Sequence, residues 1–260
     1  MRTRVVQHVR FPLIHAGLLL LVVLYACSGP TEPNTELVET RTSAHYVFHF
    51  VPGDAIDTTW QERYYEWLVP TLELQPTVRL DYFKYRNRAH LKAVTGRTTN
   101  GFAEPGTTRF HTIWPTDNHE GVHTLVILYL GHPPALFNEG VAVAHQTDPG
   151  AGILTPRWNG QDLHVLARQL DVAGRLPAIS ALLQSTDFFR YDTEITYPMA
   201  GSFVRYLLDT YGLAPFKAFL RGAVFDAERS VTEARFQAAY GRSVAAAWAE
   251  WRSWLQGRNG

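Results

Sequence analysis

Cysteine is almost absent from this chain, which has Cys27 as its one cysteine in 260 residues. The chain beyond Cys27 therefore cannot form an internal disulfide and must be stabilised by its hydrophobic core. The same absence excludes a catalytic thiol and a cysteine-ligated zinc site from that region. Aromatic residues make up 13% of the sequence, so the side chains for a sizeable core are available.

A surplus of charge of either sign is also lacking. The 24 lysine and arginine residues balance 24 aspartate and glutamate residues, and no basic cluster stands out. Nucleic-acid-binding proteins usually carry a basic patch or stripe, so the composition argues against a nucleic-acid partner. The chain has no internal repeat, and its length beyond the N-terminal segment fits one domain or two closely packed lobes.

The N-terminal segment is similar to a bacterial export signal. Three arginines precede an apolar stretch at residues 11–26, which is shorter than the roughly 20 residues of a membrane-spanning helix. The sequence LYAC that closes it resembles a lipobox, in which the cysteine carries a lipid; an ordinary signal or an uncleaved anchor is the alternative. We therefore expect a signal peptide at residues 1–26, an exported protein lipid-anchored through Cys27 to a bacterial membrane (periplasmic or outer face), and a flexible tether at residues 27–43.

Hydrophobic periodicity divides the remaining residues, 44–256, into two lobes. The first, residues 44–115, alternates strands and helices, and the second, residues 116–256, is nearly all helical. The predicted elements of the first lobe are strands at 45–53, 77–85 and 107–114 and helices starting after Asp57 and at residue 87. The predicted helices of the second lobe are 117–130 (capped by Asp117 or Asn118), one from 135, 161–173, 177–184, 199–211, 214–221, 231–240 and 244–255. This pattern predicts an α+β fold.

The sequence HEGVH, residues 119–123, begins the helical lobe. Four residues are slightly more than one helical turn, so the imidazoles of His119 and His123 project from one face, about 6 Å apart at Cβ. That spacing suits two ligands of one tetrahedral zinc ion. Glu120 is rotated by about 100° from His119 and lies beside such an ion, where it can act as general base on a water.

A surface helix with polar residues on its solvated face is the alternative to a metal site. Apolar residues cover too much of the helix circumference for that interpretation, and buried polar groups need partners. For the third ligand Glu139 is favoured, because the Pro133-Pro134 break lets a second helix return past the first. His132 in the turn and His145 after Glu139 are the competing candidates.

Four segments resemble the gluzincin metallopeptidases: HEGVH, PALFNEGVAVAH, YPMAGSFVRYLLDTYG and FQAAYGRSVAAAWAEW. The resemblance spans roughly residues 101–255 and is nearest to the bacterial peptidase MA-like proteins, distant relatives of thermolysin and aminopeptidase N. It implies a zincin-like α+β fold and one zinc ion per chain, held by His119, His123 and Glu139 with Glu120 as the general base.

The same resemblance implies two features around the metal. A downstream tyrosine would stabilise the oxyanion; Tyr197 is the match and Tyr191 the fallback. The strand at residues 107–114 would be the edge along which an extended peptide pairs, with an ordinary sheet edge as the alternative.

One position departs from the family pattern. Relatives often carry an acid four residues after the ligand glutamate, whereas Val143 stands there, and Asp187 or Asp192 could replace it. The resemblance predicts an exported zinc metallopeptidase that acts on peptides or proteins, and the lack of a motif for a free N-terminus favours an endopeptidase. The alternatives are a non-catalytic envelope lipoprotein that binds peptides or partner proteins, and a structural zinc site, which normally has four protein ligands.

Overall fold

A five-stranded mixed sheet occupies the N-terminal part of the chain in the computed structural model, which describes residues 37–146 and 157–258. The strands of this sheet are β1 (Glu39–Thr42), β2 (Tyr46–Phe50), β3 (Leu80–Lys84), β4 (Gly101–Ala103) and β5 (Arg109–Thr112), and a separate hairpin consists of β6 (Arg157–Trp158) and β7 (Gln161–Asp162). The order across the sheet is β1-β2-β3-β5-β4. The central pairs are parallel, and β1 and β4 pair antiparallel at the two edges.

Helices form most of the remaining structure. They are α1 (Thr58–Thr71), α2 (Arg88–Thr95), α3 (Glu120–Tyr129), α4 (Ala135–Ala144), α5 (Leu163–Val172), α6 (Ser185–Phe188), α7 (Thr193–Tyr211), α8 (Leu213–Leu220), α9 (Arg229–Tyr240) and α10 (Val244–Gly257). The predicted division into a small N-terminal sheet and a mainly helical remainder is confirmed. Among the described residues, no helix has the length and hydropathy required to span a bilayer.

One face of the sheet forms the main core together with the helices. Side chains alternate between the two faces of a strand, and the inward positions are aromatic or aliphatic: Tyr46, Phe48, Phe50, Leu80, Tyr82 and Phe110. These residues belong to the same buried cluster as apolar residues of α3, α4 and α7. The sheet and the helices that carry HEGVH are therefore packed on one continuous core.

The other face of the sheet carries a ladder of stacked rings that runs across four strands. His49 stacks on Phe83 at 4.4 Å, Phe83 on His111 at 4.9 Å, and His111 on Phe102 at 4.4 Å between ring centroids. The Arg97 guanidinium lies over the Phe102 ring at 4.1 Å. Cross-strand pairs of this kind stabilise a sheet, and here they attach the short edge strand β4 to the centre.

Two glycines let α4 and α7 pack closely. A Cβ at Gly140 would lie 2.6 Å from Val204 Cγ2 and 2.9 Å from the Ala200 carbonyl oxygen. A Cβ at Gly201 would lie 2.5 Å from Val143 Cγ1. Backbone atoms cannot move aside as a flexible side chain can, so a larger residue at 140 has to push the helices apart.

We expect Gly140→Ala to lower the free energy of unfolding by about 1–3 kcal/mol, because the added methyl group overpacks the α4–α7 contact. Gly257→Ala is the matched control, since nothing lies within 4 Å of a Cβ at this helical glycine. Urea denaturation of the metal-free proteins measures both changes. Equal stability of the two variants would contradict the close packing of α4 against α7.

The sequence-based tether extends too far along the chain. Residues 39–42, assigned to a flexible tether at 27–43, form the edge strand β1, which pairs antiparallel with β2 from Glu39 opposite Phe50 to Thr42 opposite Val47. The segment lacks an apolar period because an edge strand is held by backbone hydrogen bonds. The predicted signal peptide, Cys27 and the first part of the tether lie outside the described residues.

Three other assignments need correction. The strand predicted at 107–114 is β5, which lies between β3 and β4, so the sheet edge on this side is β4. The predicted helix at 177–184 is a 3₁₀ turn (Ile179–Ala181) followed by the short α6. The helix predicted at 199–211 begins earlier, at Thr193, because the Asp192 side chain caps it by accepting a hydrogen bond from the Glu194 N–H at 3.0 Å.

Candidate metal centre

Asp117 anchors the start of α3. Its carboxylate Oδ1 accepts hydrogen bonds from the backbone N–H groups of His119 at 2.9 Å and Glu120 at 2.7 Å. The backbone of Asp117 is held by the buried Gln61 of α1, whose amide oxygen accepts from the Asp117 N–H at 2.9 Å and whose amide nitrogen donates to the Asp117 carbonyl at 2.8 Å. The first turn of the HEGVH helix is thereby attached, through Asp117, to the buried side chain of Gln61.

His119, His123 and Glu139 meet at one point between α3 and α4. The two Nε2 atoms of His119 and His123 are 3.1 Å apart. Glu139 Oε2 lies 3.2 Å from the Nε2 of His119 and 3.4 Å from that of His123. The three side chains are half-buried or buried, and their candidate ligand atoms all lie within 4.8 Å of one another. Two residues one turn apart on α3 therefore converge with one residue on the returning helix α4.

This triangle of donor atoms fits a zinc ion. Ligands at 2.0–2.2 Å in a tetrahedral site are separated from each other by about 3.3–3.6 Å, and the three distances observed here lie within that separation or up to a few tenths of an ångström below it. A single cation satisfies two imidazole lone pairs and a carboxylate at once. Hydrogen bonds among the three side chains cannot do so, because the same two Nε2 atoms and one carboxylate oxygen would take part in all of them. Two histidines and a glutamate also leave a fourth position free, which is the arrangement of catalytic zinc sites.

The electrostatics of the triangle favour a cation. Burial raises the pKa of Glu139, but His123 and His119 outweigh burial through their charges and hydrogen bonds, and the pKa falls well below its usual range. Burial lowers the pKa of His119, whereas its hydrogen bond to Glu139 and the charges of Glu120 and Glu139 raise it to about 9. The carboxylate is thus ionised and attracts positive charge to this point.

Glu120 lies beside the triangle, against the edge strand β4. A Cβ at Gly101 would be 2.8 Å from Glu120 Oε1 and 2.9 Å from both Glu120 Cγ and the His111 carbonyl oxygen, so only glycine permits this approach. Burial raises the pKa of Glu120 to about 8, helped by the charges of Asp117 and Glu139 and opposed by His119 and the nearby Ala103 N–H. A carboxyl with such a pKa can accept and return a proton near neutral pH.

The site opens into a cleft of about 1270 Å³ whose lining includes β4, the triangle and the first turn of α7. Tyr197 projects from α7 into this cleft, with its ring 6.1 Å from that of His119 and nearly parallel to it. Burial and the charges of Glu139 and Glu120 raise the pKa of Tyr197 above its usual value, so the phenol keeps its proton. The fallback candidate Tyr191 is exposed and does not line the cleft.

The competing ligands lie elsewhere. His145 is buried with Nδ1 at 2.7 Å from the Val141 carbonyl oxygen, a partner on its own helix. His132 lines the cleft, but its ring stacks on Phe225 at 4.6 Å and it does not join the triangle. Of the three candidates for the third ligand, Glu139 is the one whose side chain reaches both histidines.

In the part of the chain that the structure describes, Asp187 and Asp192 do not take the place of the acid that Val143 lacks. Val143 is buried against Gly201, whereas Asp187 forms an ion pair with Arg190 at 3.1 Å and Asp192 caps α7. Within the described part of the chain, the buried Nδ1 of His123 has no hydrogen-bond partner. The expectation that Asp187 or Asp192 orients a ligand histidine is therefore wrong.

The sequence interpretation left one residue of this region undecided and missed another. Asp117 and Asn118 were both candidate caps, and the position of the Asp117 carboxylate depends on backbone bonds to Gln61, which is distant in sequence. The role of Gly101 was missed because β4 has three residues, too few for an alternating pattern to identify a strand.

Comparison with protein-family models found no match, and comparison with curated proteins found none either. Among solved structures, the chain is similar to a crystal structure of a mutant M1 zinc metallopeptidase from Deinococcus radiodurans, at 13% sequence identity and a TM-score of 0.49. The match covers 85% of this chain and 52% of that chain, so this chain spans about half the length of that enzyme.

Proposed function

We propose that this chain hydrolyses peptide bonds with a zinc ion held by His119, His123 and Glu139, in a protein whose N-terminal sequence predicts export and lipid anchoring. The observation that carries the proposal is the triangle of donor atoms with edges of 3.1, 3.2 and 3.4 Å, open to a cleft and flanked by Glu120. A metal site that serves only to stabilise the fold has no need for the open position or for the additional carboxylate.

Zinc, when bound, acts as a Lewis acid on a carbonyl and makes water a nucleophile at neutral pH. The chain's own contribution is proton transfer. Glu120 is close to the ligands without being one of them, so it can take a proton from the attacking water and deliver it to the leaving amine. Gly101 and the core-anchored start of α3 hold its carboxylate in place.

The outer edge of β4 lines the cleft and is the candidate site for pairing with an extended peptide. Glu104 N–H donates to the Arg109 carbonyl at 2.9 Å and Ile113 N–H to the Asn100 carbonyl at 3.0 Å. In an antiparallel pair, residues that bond to the partner strand alternate with residues whose backbone groups point away from it. The backbone groups of Gly101 and Ala103 therefore point away from β5. The Gly101 carbonyl accepts from the Thr99 hydroxyl at 2.8 Å, its N–H donates to the same hydroxyl at 3.4 Å, and the Ala103 N–H lies near Glu120, so a peptide would have to displace the Thr99 side chain to pair with Gly101. A peptide that pairs with this edge would pass beside Glu120. The cleft also exceeds the roughly 300–1,000 Å³ of small-molecule pockets, which favours a polymeric substrate.

Tyr197 supplies a hydrogen-bond donor on the α7 side of the cleft. Its hydroxyl keeps its proton, and its ring lies beside that of His119. A donor in this position can stabilise the negative charge that develops on a carbonyl oxygen under attack.

Metal analysis and hydrolysis assays test this proposal together. We expect purified protein to hold about one zinc ion per chain and to cleave unstructured peptides, to lose both zinc and activity with 1,10-phenanthroline, and to regain both when zinc is added. Peptide binding with zinc in place and no cleavage would identify the protein as a binding protein with the same fold. Undiminished hydrolysis by metal-free protein would overturn the mechanism.

A further inference from the structure

Two arginines line the cleft next to the residues that lead into β4. Arg88, from the start of α2, donates through Nε to the Asn100 side-chain oxygen at 2.9 Å. Arg97, which follows α2, lies over the Phe102 ring at 4.1 Å. Both side chains are exposed, yet each is held by a neighbour, so both charges are kept at this end of the cleft.

Neither guanidinium is neutralised by a nearby acid. In the residues that the structure describes, neither Arg88 nor Arg97 has an ion-pair partner. Some other basic side chains do have acidic partners, for example Lys84 with Asp54 and Arg252 with Asp171. In a chain with no net charge, two unpaired arginines on one cleft wall make a local positive field.

The stacking order places Arg97 beyond the edge of the sheet. The ring of His111 on β5 occupies one face of Phe102, at 4.4 Å, so the Arg97 guanidinium covers the other face. Neighbouring strands are about 4.8 Å apart, and a peptide paired with β4 would occupy the position next to Phe102 on that side. A substituent of that peptide is therefore brought within reach of the guanidinium.

A different wall of the cleft carries charges of both signs. The carboxylate of Glu194 on α7 accepts hydrogen bonds from Trp158 Nε1 and Asn159 Nδ2, each at 3.0 Å. Arg157, next to Trp158 in the chain, also lines the cleft and donates to the Gly160 carbonyl at 2.7 Å. Arg88 and Arg97 differ from Arg157 because they lie beside β4, the proposed peptide-binding edge.

We propose that Arg88 and Arg97 bind a carboxylate of the peptide that occupies the cleft. The inference deepens the proposed function, since it rests on β4 as the peptide-binding edge. The carboxylate comes either from an aspartate or glutamate side chain or from the C-terminus of the peptide. Both sources present the same planar anion, which a guanidinium binds through two parallel hydrogen bonds.

Binding is measured on zinc-loaded Glu120→Gln protein, so that cleavage does not consume the probe. The probes are fluorescein-labelled peptides of matched sequence that carry glutamate or glutamine, each made with a free and with an amidated C-terminus. We expect the peptide with a carboxylate to bind about 3- to 10-fold more tightly than its neutral counterpart, and this ratio to fall in high salt. Adding Arg97→Gln or Arg88→Gln should reduce the ratio toward one, whereas Arg86→Gln, an exposed arginine outside the cleft lining, should leave it unchanged.

The outcomes separate the two sources and the two proposals. A ratio that persists with amidated peptides identifies an acidic side chain, and one that requires the free C-terminus identifies the chain end. Equal binding of charged and neutral peptides, or a ratio equally reduced by Arg86→Gln, would overturn the role of Arg88 and Arg97 even if the protein hydrolyses peptides. A charge preference without hydrolysis by protein that retains Glu120 would leave this inference standing and remove the proposed activity.

Discussion

Glu120→Gln should lower the rate of peptide hydrolysis by about 10²–10⁴-fold and leave the zinc content unchanged. The glutamine has nearly the same shape, so it keeps its place against Gly101, and Glu120 is not one of the three converging ligands. Its amide, however, cannot accept a proton from water at neutral pH. Initial rates on a fluorogenic peptide, together with zinc analysis of the same preparation, measure the two effects separately.

Glu66→Gln provides the control for Glu120→Gln. Glu66 is exposed on α1 and does not line the cleft, so the same change of charge should leave the rate unaltered. If Glu120→Gln and the parent protein hydrolyse the peptide at the same rate, Glu120 is not the general base. If the variant loses zinc together with activity, Glu120 belongs to the ligand set and the site has more protein ligands than the triangle.

Glu139→Gln should weaken zinc binding by more than about 100-fold. Loss of a group that only supports a ligand costs 10–100-fold, whereas in the proposed site Glu139 is itself a ligand and supplies the negative charge of the triangle. In the parent protein, zinc at 100 times its Kd should raise the free energy of unfolding by about 2.7 kcal/mol. The variant should show little of this gain at the same zinc concentration. Thermal or urea unfolding with and without zinc provides the measurement.

Glu194→Gln is the matched control for Glu139→Gln. Glu194 also lines the cleft, and glutamine can still accept hydrogen bonds from Trp158 and Asn159. Zinc should therefore stabilise this variant as it does the parent. Equal zinc affinity of Glu139→Gln and the parent would exclude Glu139 as the third ligand. His132, the remaining histidine in the cleft lining, would then be the next candidate.

The elements of this fold that could be predicted are those encoded over a few residues. The helix after Asp57 was located correctly because the Asp57 side chain accepts from the Trp60 N–H at 2.9 Å, a cap that a sequence displays directly. The strands β2 and β3 were found from aromatic alternation, although predicted several residues too long. The failures are β1, β4, the 3₁₀ turn at Ile179–Ala181 and the start of α7. The two strands are short and depend on long-range pairing, the turn is too short for a helical period, and a single cap begins α7.

Some positions in the candidate metal centre follow from neighbouring residues in the sequence, and others depend on contacts between distant segments. That His119 and His123 share a helix face follows from a spacing of four residues, so the amino-acid order was sufficient to pair them. Glu139 was placed by the proline break between α3 and α4, although the order of residues alone left His132 and His145 as competitors. The sequence also shows that position 143 is a valine and not an acid. It does not show that Asp187 and Asp192 have other partners.

The environment of these residues arises from contacts between segments far apart in the chain. Gln61 holds Asp117, Gly101 on the sheet edge receives Glu120, and Gly140 lets α4 approach α7. No periodicity encodes such contacts, because each depends on how separate elements pack around a common core. The residue order is thus enough to predict the α+β class and to pair His119 with His123, whereas the convergence of Glu139 on both histidines and the closeness of Glu120 to β4 follow from packing over the whole domain.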